Sequence, residues 1–140
     1  MFTPEASYEA ICQIADLVAE DRYAEARPLL DAMTEIEDSV PLVLFYKAIC
    51  IYEDKDDVEC VRLLTRFIER APRHKKVPYA RFTIAICLVN LGAYAEALEV
   101  FGTVPEDYPD LKKEVTAATS RLELQKKAIA YCSGLRDAST

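Results

Sequence analysis

Five cysteines, one histidine and adjacent carboxylates such as Asp56-Asp57 and Glu106-Asp107 are the side chains of this 140-residue chain best suited to chemistry. Their spacing speaks against it. A zinc site needs Cys or His ligands in closely spaced pairs. Cys12, Cys50, Cys60, Cys87 and Cys132 are scattered, and His74 has no ligand-type neighbour at such spacing. Each of the first four cysteines sits in an apolar helical pattern, so buried, reduced thiols in a cytoplasmic setting are expected. The acidic pairs Asp56-Asp57 and Glu106-Asp107 fall in turns, where carboxylates cap the helices that follow. The chain has no glycine-rich phosphate loop, no paired metal-ligand motif and no serine elbow. The expectation is a protein that is not an enzyme, with no catalytic residues, cofactor or metal.

The charges are more informative. The net charge is −7, unevenly spread: residues 1–60 carry −11, residues 61–81 carry +6 and residues 82–140 carry −2. An acidic whole argues against general nucleic-acid binding, which depends on neutralising phosphates. Within the basic stretch, Arg62, Arg66 and Arg70 recur every fourth residue and share one helix face. Arg73, Lys75 and Lys76 carry the charge into the following turn. One reading is a solvated face that offsets the acidic first unit through weak ion pairs with Glu59, Glu69 and neighbouring acidic helices. The other is a basic docking patch for an acidic partner surface or membrane headgroups, which would steer association and register.

The elements that position these residues are expected to be helices. Hydrophobic residues make up 51% of the chain, only three residues are glycine, and alternating strand patterns with Asn-Gly or Asp-Gly turns are absent. No apolar run is long enough to span a membrane. The opening Met1-Phe2-Thr3-Pro4-Glu5 has no basic segment followed by an apolar stretch, so no secretory signal is expected.

The helices repeat. Tyr23-Ala24-Glu25-Ala26 returns as Tyr94-Ala95-Glu96-Ala97, 71 residues later. Between them Cys60 takes the register of Ala26 and Ala97, while Leu30, Leu64 and Phe101 form the next matching set. Pro72 and Pro109 each fall twelve residues after the small residue of their unit. Gly92 marks the end of one helix and Tyr94 the start of its partner. Successive units are offset by 34 and 37 residues. This pattern resembles the tetratricopeptide repeat, in which small residues let two antiparallel helices approach and a proline closes the unit. The resemblance implies an all-α, right-handed solenoid of three hairpins, 7–40, 41–74 and 78–109, within a single domain. A capping helix over 110–132 and a frayed tail at 133–140 would follow, about seven helices in all. Departures are the lack of tryptophan, Asp38 where the first unit should carry proline, Asp57 in place of a tyrosine, and Pro28 early in a second helix.

The resemblance also implies a binding face, because the first helices of such hairpins line a concave groove. Its positions here are Tyr8, Ile11, Ala15 and Val18, then Leu42, Phe45, Ile49 and Tyr52, then Tyr79, Phe82, Ile86 and Val89. Hardly any is charged, and the stretch around Val40–Ile51 is apolar almost all round, so it must be covered on nearly every side. Without lysine, arginine or asparagine in the groove, a charged peptide terminus would find no pairing group. The expected ligand is an amphipathic helix of a partner protein laid apolar side down. The small chaperones of type III secretion look similar. The alternatives are a self-associating scaffold that uses the groove as its homodimer interface, and cover of the groove by the chain's own C-terminal helix.

Overall fold

A computed structural model describes residues 3–138, and among them every regular element is helical. Helix α1 spans Pro4–Ala19, α2 Tyr23–Asp31, α3 Leu42–Glu53, α4 Asp57–Arg70, α5 Val77–Asn90, α6 Tyr94–Phe101 and α7 Leu111–Ala138, with a single 3-10 turn at Thr34–Ile36. The first six pair as hairpins and each hairpin packs on the next, giving an α-solenoid closed by α7.

Local chemistry explains the boundaries. The Thr3 hydroxyl accepts the Ala6 N–H at 3.1 Å, and Pro4 opens α1, where its missing donor costs nothing. Asp56 caps α4 by accepting the Glu59 N–H at 3.2 Å. Glu106 and Asp107 lie in a turn as expected, but α7 opens only at Leu111, so they do not stand at its cap. Helix α2 runs through Pro28 and stops at Asp31, so the first hairpin has a short second helix followed by the 3-10 turn.

The turns inside the hairpins are one motif used three times. Asp21, Lys55 and Gly92 have φ of 60°, 62° and 80°. At each, the left-handed residue donates back three residues and the next residue donates back five: Arg22 to Leu17, Asp56 to Ile51 and Ala93 to Leu88, at 2.8, 3.3 and 2.9 Å. This is the Schellman arrangement, which satisfies carbonyls left without partners at a helix end.

The core sits where the repeat places it. Ala26, Cys60 and Ala97 are fully buried, and Leu30, Leu64 and Phe101 nearly so. Helix α5 joins two apolar clusters: Ile84 and Cys87 face the one built from α1 to α4, while Ala85 and Val89 face the one shared with α6 and α7. Cys50, Cys60 and Cys87 are buried free thiols; Cys12 and Cys132 are exposed. Cys12 thus departs from expectation, because it falls on the outer side of α1 between the buried turns at Ile11 and Ile14. The Cys60 thiol neighbours that of Cys87 and, together with burial, pushes the Cys87 thiol far above its ordinary value.

Helix α7 runs past 132 to Ala138, and the last two residues of the expected tail lie outside the described residues. Leu111, Val115 and Ala118 pack it against the body, and Gln125 reaches the Gly92 carbonyl at 3.1 Å. Beyond that point it projects, leaving Leu124, Ile129, Tyr131 and Leu135 exposed.

Candidate protein-binding groove

The apolar stripes of α1, α3 and α5 open onto three depressions. One lies between Tyr8, Ile11, Val40 and Leu42. A second, of about 490 Å³, has Ala15, Val18, Phe45, Ile49 and Tyr79 around it. The third, of about 250 Å³, is walled by Tyr52, Tyr79, Phe82 and Ile86. Tyr79 borders both the second and the third, so these two meet at its ring. Val89 lines none of them; it is 6% exposed and packs in the core with Ala97 and Phe101.

Depth separates floor from wall. Ile11, Phe45 and Ile49 are 9%, 4% and 8% exposed, whereas Tyr8 and Tyr79 are 72% and 45% exposed. Phe45 is held by its own chain: its ring centre lies 5.3 Å from those of Tyr46 and Phe67 and 5.7 Å from that of Tyr79. It is foremost a core residue whose edge reaches the groove. Phe82 is half-buried, with its ring 4.9 Å from Tyr108 and 5.7 Å from Phe101. Tyr108 and Pro109 complete the wall of the third depression, which spacing alone did not suggest. An aromatic directly before the repeat's closing proline was the available signal. Among the described residues, none of α7 lines any of the three depressions.

The basic stretch divides in two. Arg62 pairs with Glu59, Arg66 with Glu37 and Asp38 at 3.2 and 2.9 Å, and Arg70 with Asp38 at 3.3 Å. Arg66, and then Arg70, hold the Asp38 carboxyl below its usual range. Asp38 stands where the first repeat lacks its proline, and it ties that hairpin to α4 instead. Arg73, Lys75 and Lys76 have no carboxylate within ion-pair distance among the described residues. Lys75 and Lys76 border the second depression, so two residues read as part of the basic patch belong to the groove. The Lys76 ammonium lies 5.3 Å from the centre of the Phe45 ring, and the Lys76 N–H donates to Nδ1 of His74 at 3.1 Å.

A further hollow of about 340 Å³ lies between α2, α3 and α4. Its cations are neutralised within the chain: Arg27 pairs with Asp54, Lys47 with Glu37 and Arg62 with Glu59. It therefore offers a ligand little beyond groups already paired.

With this geometry in view, residues 79–111 match the family model of the tetratricopeptide repeat. The match spans α5, α6 and the turns into α7, and it supports a tetratricopeptide-like class of protein-interaction fold for the chain. Comparison with curated proteins and with solved structures returns no match. No helix among the described residues is long and apolar enough to cross a membrane.

Proposed function

We propose that this protein is a non-catalytic chaperone or adaptor that binds an amphipathic helix of a partner protein in its apolar groove and so shields it. The observation that carries this reading is that Tyr8 stands exposed beside Ile11, and Tyr79 beside Phe45 and Ile49, in depressions lined by no described residue of α7. Exposed aromatic walls above an apolar floor suit burial of the apolar face of a helix. Small type III secretion chaperones, which the sequence resembles, hold a self-assembling subunit soluble in the cytoplasm in this way, and the same work suits a chain of this size and charge.

The test is co-purification from source cells with the wild type and with Tyr79→Glu, followed by light scattering and by mapping of the bound segment. The reading expects a small protein in fixed ratio, bound through an amphipathic helix and lost with Tyr79→Glu. A wild-type protein that runs only as a homodimer, broken by the same substitution, would make the groove an oligomer interface instead.

A further inference from the structure

We propose that the helix taken by the groove carries carboxylates beside its apolar face, and that Lys75 and Lys76 pair with them. This rests on the groove reading above and names the chemistry of the partner.

The chain as a whole repels acidic ligands, with net charge −7 and −11 over its first 60 residues. The second depression is the local exception. The residues lining it are Ala15, Val18, Ala19, Phe45, Tyr46, Ile49, Lys75, Lys76 and Tyr79, two cations and no carboxylate. The neighbouring arginines of α4 are already paired with Glu59, Glu37 and Asp38, whereas these two lysines have no ion-pair partner among the described residues. Their position is held as well: the His74 ring fixes the Lys76 backbone, and the Lys76 ammonium sits over Phe45, at the edge of the apolar floor. An apolar floor with two free ammonium groups at its rim is complementary to a helix bearing Glu or Asp one turn from its apolar anchors.

The same argument sets aside α7 of a second copy as occupant. The exposed amphipathic segment that the chain could offer is the projecting half of α7, with Leu124, Ile129 and Tyr131. Over residues 121–138 it carries Arg121, Lys126, Lys127 and Arg136 against Glu123 and Asp137, a net charge of +2. It would bring cations to cations.

Two synthetic helical peptides test this. They share one leucine stripe, and Glu flanks it in one and Lys in the other; binding to the full chain is followed by fluorescence anisotropy at low and high salt. The Glu peptide should bind about tenfold tighter at low salt, and the gap should narrow as salt screens the pairs. Replacing both lysines, Lys75→Glu with Lys76→Glu, should reverse the preference, and Lys75→Gln with Lys76→Gln should erase it. Circular dichroism should show all three proteins equally helical. Equal binding of both peptides, unaffected by the lysine changes but lost with Tyr79→Glu, would overturn the inference and leave the groove standing. Failure of both peptides to bind would overturn the two together.

Discussion

Lys55 and Gly92 hold the same place in successive hairpins and the same left-handed backbone, φ 62° and 80°. Glycine adopts that conformation freely; a residue with a Cβ is strained there by about 1 kcal/mol. Lys55→Gly should therefore raise stability by roughly 0.5 kcal/mol once the added freedom of the unfolded chain is allowed for. Gly92→Ala should lower it by about 1 kcal/mol, and from backbone strain alone, since a Cβ at Gly92 meets nothing within 4 Å. Urea melts of the two variants check both signs. Equal melts for Gly92→Ala and wild type would mean that the turn relaxes.

Phe45 and Tyr79 should behave oppositely although their rings touch. Phe45 is 4% exposed and Tyr79 45%. Phe45→Ala should cost about 3 kcal/mol by leaving a cavity among Tyr46 and Phe67, and Phe45→Glu should unfold much of the helical signal. Tyr79→Ser should cost under about 1 kcal/mol because much of the ring already meets water. Thermal melts by circular dichroism decide it, and equal losses would show that Tyr79 belongs to the core.

Glu37 joins two cations from different helices, Lys47 of α3 at 2.8 Å and Arg66 of α4 at 3.2 Å, with only 14% of its side chain exposed. Glu37→Ala should destabilise the protein by about 2 kcal/mol, since it leaves both cations short of a partner in a half-buried place. Hydrogen exchange should rise first in residues 34–40. A variant as stable as wild type would mean that Asp38 holds the arginines alone.

His74 should set the first loss of stability on acidification. Burial, and then Lys76 and Lys75, hold its imidazole below the ordinary value of 6.5. A depressed histidine contributes stability that is present above its unfolded value and lost as pH falls through its folded value. Arg22 holds the Glu25 carboxyl, and Arg62 the Glu59 carboxyl, below an ordinary value of 4.5, so their share is lost only in more acidic solution. His74→Asn, which keeps an acceptor for the Lys76 N–H, should flatten the fall in urea midpoint as pH drops below 6.5. An unchanged slope would place the titration elsewhere.

The hairpin fold was legible because small residues recur in register. Ala26, Cys60 and Ala97 are where helices meet with no side chain between them, and only small groups fit there. The turns were legible in one unit of three, because Gly92 announces a left-handed residue and Asp21 and Lys55 do not. The arginine spacing showed which residues share a face of α4, but not that Glu37 and Asp38, roughly thirty positions earlier in the chain, would meet them. An i, i+4 pattern is local, and an ion pair across hairpins is not. Depth was equally out of reach for the groove: Phe45, Phe82 and Val89 share one pattern, yet their burial depends on rings and helices supplied by other units.

The sorting of the cysteines gives the protein a built-in gauge of its own folding. Cys12 and Cys132 lie open to solvent, one in the first helix and one in the last, while Cys50, Cys60 and Cys87 are sealed between them in α3, α4 and α5. Alkylation should therefore stop at two adducts on native molecules and proceed to five only on those that have opened. An intact-mass spectrum then counts the opened molecules. The site that reacts third tells whether the second hairpin or the third gives way first.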